Sequence, residues 1–264
     1  MPPERSEALI LATRDYGEAD CLVVFLTPAA GRITAVAKHA RKSKRRFMNC
    51  LEPLSLVEFF YTVRADQELA RLDRGELMHS FRGLRRSLLP LATAAILAET
   101  AGEVVGAVDN LPALYQTLKN ALGQLAVGPR PWSLFLSHLS RLVAQAGFNP
   151  HWQVCGLCGR TQEALVWFSP DKGGVVCGDC LPRLTGERLY PLHPGSRKLI
   201  LAAQQLPLEK MTRLRFPDLA QEEITAAYRA FLRQIVGREL RSWGFLDKIL
   251  PWCNCRPPAE PRRP

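Results

Sequence analysis

Two pairs of cysteines carry the clearest chemistry in this chain. Cys155-Gly-Leu-Cys158 and Cys177-Gly-Asp-Cys180 are C-x-x-C pairs separated by 18 residues, the spacing of a four-thiolate zinc site. Two residues between thiolates let one tight turn aim both sulfurs at a single ion, and Gly156 and Gly178 are the residues expected to permit those turns. Between the pairs, 165–168 reads as a strand, 171–174 as its turn, and Val175 and Val176 as the return, which makes a small zinc ribbon. Four thiolates leave no open coordination position, so one Zn2+ here would hold the segment together and not catalyse. The alternative for such pairs is a redox dithiol or unrelated buried thiols. Cys21 and Cys50 read as ordinary residues in or beside a barrel, and Cys253 and Cys255 as non-ligands.

The second constellation is electrostatic. Segment 38–46 carries six positive charges (Lys38, Arg41, Lys42, Lys44, Arg45 and Arg46) with His39 among them and no acid. Up to residue 80 there are 12 Lys and Arg against 11 Asp and Glu, so the excess of that region sits in this run. Alternation places Arg32, Thr34 and Lys38 on one strand face, extending the basic surface. A groove that tracks a nucleic-acid backbone needs cations for phosphates and aromatic faces for bases, and Phe47, Phe25, Phe59 or Tyr61 would supply the stacking. Six phosphate contacts on a single strand would give a slope of about −4 in log K against log salt. The plainer reading is a solvated loop. Asp15, Glu18 and Asp20 form one acidic cluster that a magnesium-dependent nuclease would need. No G-x-x-x-x-G-K-[ST], G-x-G-x-x-G, H-E-x-x-H or G-x-S-x-G motif occurs, which removes the common nucleotide-hydrolysing, dinucleotide, metalloprotease and hydrolase signatures.

The elements that must position these groups change character along the chain. Short runs rich in β-branched and aromatic residues, bounded by turn formers, predict five strands at 7–13, 21–27, 32–38, 54–61 and 69–77. Five short strands suit an oligonucleotide-binding (OB) barrel, although an SH3-like barrel has the same count. The basic run then falls in a loop at the barrel rim. Apolar spacing of three to four predicts helices at 88–105, 111–127 and 132–146, a short one at 196–205 and a long one over 218–243. The fold class expected is α+β and multidomain. Its parts are an OB barrel over 1–80, a helical domain over 81–153 and 184–250 with the four-cysteine zinc module at 154–183 embedded in it, and a disordered tail over 251–264.

Composition sets the outer bounds. A net charge of +10 points to an acidic partner, nucleic acid first and an anionic membrane surface second. The first residues do not form a signal peptide, and no run of about 18 uncharged apolar residues occurs, which predicts a cytoplasmic protein without a membrane span. In a reducing cytoplasm the cysteines are metal ligands before they are disulfides. A non-enzymatic DNA-binding protein is the leading expectation, with an RNA-binding zinc-ribbon protein and the nuclease as rivals.

The residues also resemble a family. Gly17-Glu18-Ala-Asp20, Phe25-Leu-Thr27-Pro-Ala-Ala-Gly31-Arg32, Val36-Ala37-Lys38-His-Ala40-Arg41-Lys42, Leu51-Glu-Pro53-Leu, the cysteine pairs and Arg241-Ser242-Trp-Gly-Phe245-Leu246 together resemble the bacterial recombination mediators of the RecO family, in their zinc-bearing form. The resemblance spans nearly the whole chain. It implies an N-terminal OB domain, a helical domain and a zinc module. It also implies binding to single- and double-stranded DNA, annealing of complementary strands, and loading of RecA, with RecR and in many bacteria RecF, on strands coated by single-strand binding protein (SSB). Carried over, Arg32, Lys38, Arg41 and Lys42 are DNA contacts, and Lys44, Arg45 and Arg46 extend the patch. There is one departure: His39 stands where the family commonly has glycine.

Overall fold

The computed structural model describes residues 3–43, 45–63, 69–161 and 163–252. Lys44, Cys253, Cys255 and the tail from 253 onward lie outside them. Five strands, β1 (Glu4–Tyr16), β2 (Asp20–Thr27), β3 (Gly31–Ala37), β4 (Leu56–Thr62) and β5 (Ala70–His79), close into a barrel in the order β1-β2-β3-β5-β4. The closing pair is the parallel β3–β5 contact, Ala35 opposite Ala70 to Ala37 opposite Leu72. This order decides for the OB arrangement over the SH3-like one. Alternation puts Val23, Phe25, Ala35, Ala37, Val57, Phe59 and Tyr61 inside the barrel as a separate apolar cluster. The 27–31 connection is tightened by Thr27, whose Oγ1 accepts the Ala30 N–H at 3.0 Å.

The helical part consists of α1 (Leu88–Val104), α2 (Leu111–Val127), α3 (Pro131–Gln145), α4 (Pro194–Gln205), α5 (Asp218–Val236) and α6 (Arg241–Ile249). The single helix expected over 218–243 is two helices. Gly237 takes φ 74, a left-handed backbone that ends α5, and the chain turns before Arg241 starts α6. With the turn after it, α1 spans Leu88–Ala107 and is long and apolar enough to cross a membrane. Here it is the central core helix, with Ala94, Ile96, Leu97 and Ala101 fully buried among α2, α3 and α6. The barrel adds Leu9, Leu26, Leu54 and Leu56 to the same core. Between α3 and α4 lies a second sheet of β6 (His151–Cys155), β7 (Val166–Ser169), β8 (Gly174–Val176) and β9 (Tyr190–Leu192), ordered β6-β8-β7-β9. Trp152, Val166, Phe168, Val175 and Leu192 join the helical core, while Cys155, Cys177 and Cys180 gather with Val176, Leu184 and Leu189 in a smaller cluster.

Candidate nucleic-acid interface and metal site

The basic loop is anchored to the barrel by its backbone, which leaves most of its described cations outside. The His39 N–H donates to Asp20 Oδ1 at 2.7 Å and the Arg41 N–H to the Ala19 carbonyl at 3.1 Å. Both acceptors belong to the β1–β2 hairpin. Farther along, the Gly75 N–H donates to the Arg46 carbonyl at 2.9 Å, and Phe47 plugs the barrel end, 5% exposed. His39 takes φ 54, ψ 29, the left-handed backbone that glycine adopts freely, so the loop follows the path a glycine would give. Lys38, His39, Arg41, Lys42 and Arg45 are exposed. Arg46 is half-buried: its guanidinium lies 5.2 Å from the Phe47 ring centre and donates to the Lys38 carbonyl at 2.7 Å. Arg32 stands apart from this group. Six residues up β3 from Lys38, its Nη1 donates to the Gly102 carbonyl of α1 at 3.1 Å.

The stacking residues expected from the sequence are core residues. Phe25, Phe59 and Tyr61 pack edge to face inside the barrel at 4.9 and 5.5 Å, and Phe47 is buried with them. A barrel this narrow fills its interior with side chains, so none of the four presents a face to a base. Phe60 lies on the outer face of the barrel, half-buried, with the Arg74 guanidinium 3.8 Å from its ring centre. The acidic cluster is likewise spoken for. Asp20 caps the loop, Asp15 pairs with Arg41 at 3.5 Å, and among the described residues these carboxylates do not converge on a metal position.

The four cysteines do converge. Their sulfurs lie within 4.8 Å of one another, and Cys158 Sγ is 3.8 Å from Cys177 Sγ. Four thiolates at about 2.3 Å from a tetrahedral ion are about 3.8 Å apart, so the donor set fits a divalent metal. Cys155, Cys177 and Cys180 are buried and Cys158 is exposed. Backbone amides prepare the site for negative charge. Burial pushes the Cys155 thiol up, but N–H groups of Cys177, Cys158 and Leu157 outweigh it and bring it down to about 6. Cys180 is pushed up to about 12, chiefly by Cys177 beside it. The glycine that shapes the first turn is neither Gly156 nor Gly178, which have no positive φ; it is Gly159, at φ 69, whose N–H donates to the Cys155 carbonyl at 2.8 Å.

Comparison with known proteins resolves the rest. Residues 1–81 match the family description "Recombination protein O N terminal", and residues 85–244 match "Recombination protein O C terminal". The chain belongs to the RecO family. Its relatives include the "DNA repair protein RecO" of Syntrophobacter fumaroxidans, 34% identical over 94% of this chain and 98% of the relative. That of Anaeromyxobacter dehalogenans is 35% identical over 92% and 95%. In this RecO-family chain the first match ends at Phe81, the left-handed residue (φ 43) that leads from the barrel into the helices, and the second begins at Arg85.

Sequence reasoning also missed a group at the seam of the RecO-family barrel and its helices. Glu99 of α1 caps α6, accepting the Arg241 and Ser242 N–H groups at 3.0 and 2.8 Å and the Ser242 hydroxyl at 2.6 Å. Burial pushes the Glu99 carboxyl up, yet these bonds and Arg238 hold it below the usual carboxylate range. The signal was present as Arg241-Ser242, but it required Glu99 to be placed opposite, and 142 residues separate Glu99 from Arg241.

Proposed function

We propose that this chain is a DNA-binding mediator of recombinational repair, acting without a catalytic centre of its own. In this reading Lys38, His39, Arg41, Lys42, Lys44, Arg45 and Arg46 contact the phosphates of single- and double-stranded DNA, with Arg32 extending the contact along β3. The observation that carries it is the loop anchored on the barrel rim by Asp20 and Ala19, with Lys38, His39, Arg41, Lys42 and Arg45 exposed. A cationic rim that holds two complementary strands screens their mutual repulsion, a physical route to annealing. The relatives' name, DNA repair protein RecO, supports this reading. The partners that follow are RecR, SSB-coated single strands, RecA indirectly and RecF where it is present, in a cytoplasmic, nucleoid-associated setting.

Cys155, Cys158, Cys177 and Cys180 would hold one structural Zn2+, which fixes the two turns to each other and performs no step. The domain division is 1–80 for the DNA-binding barrel, 81–153 with 184–250 for partner contacts and 154–183 for the zinc module, followed by the 251–264 tail.

The test is annealing of labelled complementary strands precoated with SSB, across a salt series. Binding should weaken with a slope of about −4 in log K against log salt, and acceleration should fade with it. Replacing Lys38, Arg41, Lys42, Lys44, Arg45 and Arg46 by alanine should flatten that slope and abolish acceleration. An unchanged slope, or preference for matched RNA in competition, would sink the reading.

A further inference from the structure

The seam between barrel and helices forms an open cavity of about 550 Å3, within the roughly 300–1,000 Å3 typical of small-molecule sites. Leu11, Val24, Leu54, Ala95 and Ala98 make its apolar floor. Five cations line it, Arg14, Arg32, Arg85, Arg238 and Arg241, with only Glu99 and Glu103 as acids. Both acids are engaged: Glu99 caps α6, and Glu103 accepts from Arg238 at 2.8 Å. Arg14 and Arg241 have no carboxylate partner for their side chains among the described residues, and Arg32 spends one N–H on Gly102. Every cation is arginine. A planar guanidinium forks onto a phosphate and also stacks on a flat π face, which a lysine ammonium does not.

Strand pairing puts Arg14 of the cavity lining on the same outer barrel face as the start of the basic loop. Arg14 faces outward on β1 opposite Leu22, and Leu22 stands opposite Val36 on β3, two residues before Lys38. From Lys38 back to Arg32 the strand covers about 20 Å, inside the reach of the roughly 4–16 nucleotides that an OB barrel contacts.

We propose that this cavity is a nucleotide pocket on the path of the bound strand, taking one unstacked base on its apolar floor and the adjoining phosphates on Arg14, Arg32 and Arg241. The proposal rests on the DNA-binding reading above and adds a second anchor to it. An acidic peptide would meet the same arginines, but the track from Lys38 through Arg14 ends here, and that favours the strand.

The probe is a 15-nucleotide oligothymidylate with a single 2-aminopurine stepped through each position, bound to the full chain. One position, or two adjacent ones, should change fluorescence on binding. Ala95→Trp, which fills the floor, should reduce that change at least tenfold and weaken binding only about three- to tenfold. Arg241→Ala, removing a side chain with no partner, should flatten the salt slope by about 0.7 and also reduce the change. Both variants are checked for an unaltered thermal midpoint, and Arg241→Ala decides the matter if Ala95→Trp does not fold. Wild type that binds the oligonucleotide with no responding position overturns the pocket and leaves the basic loop standing; wild type that binds no oligonucleotide overturns both. 2-Aminopurine deoxynucleotide monophosphate supplied alone should give no response. If it responds as strongly as the strand, and Ala95→Trp removes that response, the site takes free nucleotides and the strand path is wrong.

Discussion

His39 holds a left-handed backbone at a cost of about 1–2 kcal/mol for a residue with a Cβ. Glycine removes that strain but loses roughly 0.5–1 kcal/mol in unfolded-state entropy. His39→Gly should therefore raise the thermal midpoint by a degree or two; a fall would show that the imidazole makes a contact of its own. Glu99 offers a pH test. Its carboxyl is held below the ordinary range, so the stability it contributes is present above that range and is lost as pH falls below it through the lowered folded value. Glu99→Gln should lower the midpoint at pH 7 by the equivalent of about 1–3 kcal/mol, and the gap from wild type should close below about pH 4. A gap that persists in acid would place the loss in packing instead of charge.

At the scale of elements, the second sheet is tied down twice: by the cysteine cluster and by Arg197 of α4, 5% exposed, whose guanidinium donates to the Trp152 and Ala164 carbonyls at 3.3 and 2.9 Å. Arg197→Ala removes both bonds and should cost about 1–3 kcal/mol, read by denaturant unfolding. Cys177→Ser should reduce bound zinc from one per chain to none and lower the midpoint by roughly 10 °C. Full metal retention would mean the four thiolates are not the ligands. These elements differ in how plainly the sequence announces them. The five strands were legible because turn formers bracket each β-branched run. The outward position of Phe60 was legible too, since Glu58 and Phe60 alternate with the core residues Val57, Phe59 and Tyr61. The break at Gly237 was hidden by an apolar stripe that continues past it to Leu240, because periodicity registers a face and not a backbone turn. The turn at Gly159 was hidden for the opposite reason: glycines inside both C-x-x-C pairs offered a simpler explanation.

The whole molecule has two large cores that share a wall. Leu9, Leu26, Leu54 and Leu56 leave the barrel to pack among the helices, so loss of either part exposes apolar surface on the other. Leu26→Ala should cost about 2–5 kcal/mol and destabilise both. All five tryptophans, Trp132 to Trp252, lie in the helical part or the second sheet, while Cys50 is fully buried in the barrel. Tryptophan fluorescence and alkylation of Cys50, followed by peptide mapping in rising denaturant, should share one midpoint and move together in the variant. Separate midpoints would show that the two cores unfold independently.

The barrel's closure also sets a timetable. The loop's far end is held by the Gly75 N–H on the Arg46 carbonyl, and the seam that shuts the barrel needs Ala70 to Leu72 beside β3. At about 5–20 residues per second, a few seconds separate the emergence of Arg46 from the ribosome from that of Gly75. For that interval every nascent copy presents the six cations of 38–46 as an untethered polycation, close to the densest polyanion in the cell, the ribosomal RNA that is making it.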